Sequence, residues 1–183
     1  MTDLRKLVML TLLLVPVMAV LDLDSAYGQM PKIMMTTDNG STFVEVTVDK
    51  GTVTDNTFTI DAPQQVKFDI NFLHPGALDP ITHVNYEYHI TDESGSMLVH
   101  KTGLHIHEGV DTQSVSFEKM GSFTLTINVE GTGLSKPYDT GNSGTASATI
   151  AVTPEFPIGV MAIMAVLVGI GVVTARFRNP LRL

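Results

Sequence analysis

Apolar and polar residues alternate along most of the middle of this chain. Val44, Val46 and Val48 alternate with polar neighbours, as do Val66, Phe68, Ile70 and Phe72. Val84, Tyr86, Tyr88 and Ile90 repeat the pattern, then Phe123, Leu125, Ile127 and Val129, then Ala146, Ala148, Ile150 and Val152. Side chains on a strand point alternately to its two faces, so this period of two predicts half-buried antiparallel strands. Thr57–Ile60, Met97–His100 and Ser114–Phe117 are shorter candidates. Asp38-Asn39-Gly40, His74-Pro75-Gly76, Asp92-Glu93-Ser94-Gly95 and Met120-Gly121 supply the turns between them. Seven to nine such strands in roughly 110 residues predict an all-β fold, an immunoglobulin- or cupredoxin-like β-sandwich. Phe68, Ile70, Tyr86, Tyr88, Leu125 and Ile127 are its expected core. The polar, Gly-rich stretch Gly131 to Gly144 is expected to be a long mobile loop. No segment before Pro154 has a helical period, and neither a phosphate-binding Gly loop nor a Gly-x-Ser-x-Gly elbow is present.

The pattern changes at both ends. Ile158 to Ala175 carries no charged side chain. At about 1.5 Å per residue it would span roughly 27 Å, close to a bilayer's hydrocarbon core. Pro157 suits a helix start. Arg176, Arg178 and Arg182 follow, which by the positive-inside rule places them in the cytoplasm. Near the other end, Arg5 and Lys6 precede an apolar run from Leu7 to Leu21, and Ala26-Tyr27-Gly28 offers small residues two apart. That order is the order of a secretory signal. The expected organisation is a signal peptide (1–28), an extracellular β-sandwich (29–153), a Pro-Glu-Phe-Pro motif (154–157), a transmembrane helix (158–175) and a cytoplasmic basic tail (176–183). The protein would then sit in the cell membrane by a single pass, with the lipid bilayer as partner and its ectodomain outside. An uncleaved signal anchor, giving two spans, is the alternative.

Charge narrows the function of the expected ectodomain. Residues 29–153 hold six Lys and no Arg against nine Asp and six Glu, a net charge of −9. Such a surface is a poor partner for nucleic acid, whose phosphates need cationic contacts. The chain has no cysteine. Disulfides, thiolate nucleophiles, Cys-based zinc sites and blue copper are therefore excluded. Asn39-Gly40-Ser41 is a glycosylation sequon in a turn.

The chemical lead is histidine. All six histidines lie between His74 and His107. His105 and His107, two apart on a strand, point the same way with Cα atoms about 6.7 Å apart. His83 and His89 share the polar face of the strand that buries Val84, Tyr86, Tyr88 and Ile90. If that strand neighbours the His105 segment, His83, His105 and His107 converge as ligands for one copper or zinc ion. His89 or His100 is the alternative third ligand. Glu87, Glu108 and Asp111 are candidates to orient the rings as acceptors or to ligate directly. Solvated histidines on an acidic sheet are the competing reading.

Two resemblances follow from these residues. Pro154-Glu155-Phe156, a single span and a short Arg cluster resemble the PEF-type C-terminal sorting signals of archaeal surface proteins. The resemblance implies recognition by an archaeosortase, a membrane transpeptidase. An ordinary stop-transfer anchor is the alternative. Gln65-Val66-Lys67-Phe68-Asp69-Ile70, His83-Val84-Asn85-Tyr86-Glu87-Tyr88 and Gly103-Leu104-His105-Ile106-His107-Glu108-Gly109 resemble exported β-sandwich domains of ammonia-oxidising archaea over about residues 60 to 155. The His-x-His pair is also similar to copper ligands in the cupredoxin-like subunit of copper membrane monooxygenases. There an N-terminal His completes the site, whereas the mature chain here would start at Gln29, so that activity does not carry over. The leading expectation is a surface-anchored, non-enzymatic domain that binds copper or another divalent metal. A structural or adhesive surface-layer domain without a metal site is the second.

Overall fold

A computed structural model describes residues 30–62, 64–154 and 158–178. The expected signal segment, Glu155 to Pro157 of the motif and the last five residues of the basic tail lie outside the described residues. Ten strands are present among those described: β1 (Lys32–Thr36), β2 (Phe43–Val48), β3 (Thr52–Thr54), β4 (Thr57–Ala62), β5 (Gln64–Leu73), β6 (Val84–Asp92), β7 (Met97–Ile106), β8 (Val110–Phe117), β9 (Gly121–Thr132) and β10 (Gly144–Pro154). They form a four-stranded sheet in the order β1-β2-β5-β8 and a six-stranded sheet in the order β3-β4-β10-β9-β6-β7. All pairings are antiparallel except β4 with β10.

The alternation seen in the sequence becomes the core. Most apolar strand positions turn inward, Met34 on β1, Met97 and Leu98 on β7 and Val110 on β8 being exposed, and the two sheets share one cluster of buried side chains. Aromatic pairs join the sheets: Phe58 on β4 meets Phe68 on β5 at 6.3 Å, Phe72 on β5 meets Tyr86 on β6 at 5.0 Å, and Phe117 on β8 meets Phe123 on β9 at 5.5 Å. Phe68, Ile70, Tyr86, Tyr88, Leu125 and Ile127 are all buried. Each fully buried large apolar side chain contributes on the order of 1.5–3 kcal/mol. This is a β-sandwich, as expected.

Three details differ from expectation. The ten strands exceed the expected seven to nine because β1 and the three-residue β3 were not foreseen. β3 joins β4 through Asp55 and Asn56, both at positive φ (48° and 60°), the combination a two-residue hairpin of type I′ requires. Gly131 to Gly144 is pinned rather than a free loop. Thr132 and Asp139 exchange backbone hydrogen bonds of 2.8 Å, and the Asp139 carboxylate accepts from Gly141 N–H to start a short 3-10 turn, Thr140–Asn142. The Asn39 turn is tied across to the start of β10, with Asn39 Nδ2 donating to the Ser143 carbonyl at 2.7 Å.

The helix α1 runs from Ile158 to Arg178. Among the described residues no helix is long and apolar enough to cross a membrane, so the expected transmembrane helix (158–175) is not shown. The helical backbone is continuous over 21 residues, about 31 Å at 1.5 Å per residue. Its Met161, Ile163, Met164, Val166, Leu167, Val168, Ile170 and Val172 are exposed. Thr174, its polar side chain, donates to the Ile170 and Gly171 carbonyls.

Candidate metal site

β6 and β7 pair antiparallel and carry five of the six histidines on or beside them. β7 is an edge strand, open on its far side. Its register on β6 contains a bulge. Tyr86 faces Leu104 and Tyr88 faces Lys101, so Thr102 and Gly103 together oppose Glu87 alone. Gly103 adopts φ 65°, the left-handed conformation that glycine takes at no steric cost and that such bulges use. The extra residue resets the alternation. His100 and His105 are five apart and would otherwise face opposite ways; here they face His89 and Asn85, which share one face of β6.

His83 stands just before β6 and His107 just after β7. The His83 N–H donates to the His107 carbonyl at 3.0 Å, and the Gly133 N–H donates to the His83 carbonyl at 2.8 Å. Backbone bonds to β7 and to the end of β9 thus fix the two residues side by side. His83 has φ 54°, a conformation uncommon for a residue with a side chain, though histidine is among those enriched there.

The His105 and His107 rings both lie beside that of His83. The His83 and His107 rings lie 4.3 Å apart between centroids, and their Nδ1 atoms are 3.2 Å apart. The His105 ring stacks on His83 at 5.7 Å with an interplanar angle of 30°. Two nitrogens bound to one tetrahedral ion at 2.0–2.1 Å are separated by about 3.3 Å. The His83–His107 nitrogen spacing is close to that value, but the ring centroids, 4.3 Å apart, are closer than the roughly 5 Å of two rings on one tetrahedral ion, so the rings would have to swing apart to hold one. As the side chains stand, one Nδ1–H donates to the other Nδ1. A metal ion between them would require that proton on Nε2, a change of tautomer and not of net charge.

His105 is oriented differently. Its Nδ1 lies 2.9 Å from Asn85 Oδ1. Asn85 is buried, and its Nδ2 donates to the Gly133 carbonyl at 2.7 Å and to the His83 carbonyl at 3.3 Å. One amide therefore holds the His105 ring, the backbone of His83 and the end of β9. The bond leaves Nε2 as the ring nitrogen of His105 available to a ligand. Among the described residues, no group of three or more His, Asp or Glu side chains is already disposed to hold a metal ion. The corner thus presents two imidazoles in hydrogen-bond contact with a third ring alongside, and a three-ligand site would require side-chain rotation.

Of the three expected carboxylates, Glu87 lies beside a ring and the other two do not. Asp111 does not orient a ring. It faces inward from β8 and accepts the Tyr86 hydroxyl at 2.5 Å and Gln113 Nε2 at 2.8 Å. Glu108 is exposed. Glu87 faces His100, with 3.7 Å between carboxylate oxygen and Nε2. His89 and His100 pair with each other across the strands instead of replacing His83. The residue that sequence reasoning missed is Asn85. Its only signal was a polar side chain at the start of a strand, flanked by apolar positions.

No protein family and no curated protein matches this chain. Among solved structures it is similar to the PmoD soluble domain from Methylocystis sp., at 12% identity and a TM-score of 0.48, covering 66% of this chain and 97% of that one. It is also similar to a CARDB domain from Pyrococcus furiosus, at 14% identity and a TM-score of 0.35, covering 63% of this chain and 98% of that one.

Proposed function

We propose that this protein is a β-sandwich domain held at the outer face of a membrane, and that its His83–His107 corner binds one Cu(II) or Zn(II) ion with His105 as third ligand. The observation that carries the metal reading is the 3.2 Å separation of the His83 and His107 Nδ1 atoms beside the stacked His105 ring. Neutral imidazoles without a thiolate suit type-2 copper or zinc. The acidic surface raises the local concentration of cations. The chemistry is binding, for storage, delivery or sensing, rather than turnover. Anchorage is supported by the uncharged stretch Ile158 to Ala175, the arginines after it and the continuous helix through it. The Pro-Glu-Phe motif just before that stretch makes an archaeosortase the proposed processing partner.

Calorimetry with Cu(II) on the full chain in detergent micelles tests the metal reading. Micromolar or tighter binding is expected at the corner. His83→Ala with His107→Ala should abolish that binding and leave the circular dichroism spectrum unchanged. Affinity should fall on acidification, because a protonated imidazole cannot ligate. Corner binding unchanged in the double variant would sink the site and leave the structural or adhesive reading of the domain.

A further inference from the structure

We propose that His89 and His100 form a second imidazole chelate, separate from the corner, that takes its own divalent ion of the copper or zinc class with Glu87 as third ligand. The two histidines are direct partners across β6 and β7. Their rings stand perpendicular with centroids 5.9 Å apart. A metal at 2.0–2.1 Å from a ring nitrogen lies about 3.2 Å from that ring's centroid, so two rings on one tetrahedral ion have centroids roughly 5 Å apart. The observed separation is longer by less than about 1 Å, a gap that a small rotation of the two side chains closes.

Glu87 shares the outward face of β6 with His89, two residues away. Its Oε1 accepts from Asn128 Nδ2 at 3.2 Å, while its Oε2 lies 3.7 Å from His100 Nε2. One oxygen is thus steadied by β9 and the other is presented to the histidine. The 3.7 Å gap is longer than the roughly 3.3 Å between two donors on one ion. Among the described residues no group of three is already disposed to hold a metal ion, so the carboxylate has to swing toward the two histidines on binding. The His100 and Glu87 side chains are both partly open to solvent, at 41% and 28% exposure, so an ion can approach them without unfolding the strand edge.

The second chelate is distinct from the first. Asn85 and His89 are four residues apart on β6, about 13 Å along the strand. One ion cannot serve both ends. The two sites share the outward face only because the Gly103 bulge resets β7 between His100 and His105.

The test is the number of Cu(II) ions retained by the full chain in detergent micelles after equilibrium dialysis, counted by atomic emission. Two equivalents are expected for the unaltered protein. His89→Gln with His100→Gln should retain one, and His83→Gln with His107→Gln should also retain one. The quadruple variant should retain none. His100→Gln alone, on the exposed edge strand, provides the same readout if the pair of changes disturbs folding. Glu87→Gln should weaken the second ion about tenfold or more. An unaltered chain that holds one ion, lost with His83 and His107 but kept without His89 and His100, would overturn the second chelate and leave the corner standing. One ion lost only with His89 and His100 would do the reverse. Two ions retained after both His89 and His100 are changed would also overturn it.

Discussion

Tyr86 and Tyr88 sit two apart on β6 with both rings in the core, yet their hydroxyls have different fates. The Tyr86 hydroxyl crosses between the sheets to Asp111 on β8. The Tyr88 hydroxyl is buried with no protein partner. Removing a charge-assisted bond costs about 1.5–3 kcal/mol, whereas removing an unpaired buried hydroxyl is nearly neutral. Tyr86→Phe is therefore expected to destabilise the domain by about that amount, and Tyr88→Phe by much less, as measured by denaturant unfolding. Equal losses would refute the distinction. Burial, followed by the hydrogen bond to Asp111 and the Asp111 charge, pushes the Tyr86 phenol far above its ordinary range. Burial, then the Asp111 charge, also raises Tyr88. The folded state thus holds protons that the unfolded chain releases near pH 10. This contribution to stability is fully present below about pH 10 and falls as pH rises further. Tyr86→Phe should flatten that alkaline decline.

Strand faces were legible in the sequence because each is written by four or more residues in strict alternation. The expected core positions on β5, β6 and β9 are all buried. β1 was not legible: its buried Ile33 and Met35 are separated by Met34, equally apolar but exposed, which erases the alternation. β3 has three residues and exists through its pairing with β4. The Gly131 to Gly144 segment reads as a loop by composition, but its order comes from backbone bonds between residues seven apart. For the histidines, His105 and His107 were placed by spacing alone. The approach of His83 depends on strand neighbours, and the alignment of His100 depends on a bulge, neither of which alternation encodes. Gly103 therefore tests the element scale. A Cβ there would meet nothing within 4 Å, so substitution acts through the left-handed backbone rather than through crowding. Gly103→Val is expected to cost about 1–2 kcal/mol in thermal unfolding. If the strand escapes the strain by losing its bulge, one of His100 and His105 turns to the other face, and Cu(II) stoichiometry falls with stability. Unchanged stability and unchanged stoichiometry would show that the bulge does not depend on glycine.

At the scale of the whole molecule, the acidic domain and the apolar helix place opposite demands on solvent. Side chains such as Leu167 and Val168 on α1 are exposed, which is costly in water and favourable in hydrocarbon. If α1 inserts, Arg176 and Arg178 at its C-terminal end and Arg182 beyond it would give the insertion its direction, since basic residues stay on the cytoplasmic side. Pro154 ends β10, the last strand of the sandwich, so only the Glu155-Phe156-Pro157 link separates domain and helix in sequence. Insertion of α1 would therefore hold the His face of β6 and β7 outside the cell, where metal reaches it without crossing the membrane. Val166→Arg should hinder insertion by about 2.5–3.5 kcal/mol and release the protein from the membrane fraction. Protease added to intact cells should remove the domain and spare Phe177. A protected domain with an accessible Phe177 would reverse the topology. Mass spectrometry of the native protein then separates the two fates of the tail. Processing at the Pro-Glu-Phe motif predicts a mature chain that lacks Phe177, whereas its stoichiometric recovery would identify a plain anchor.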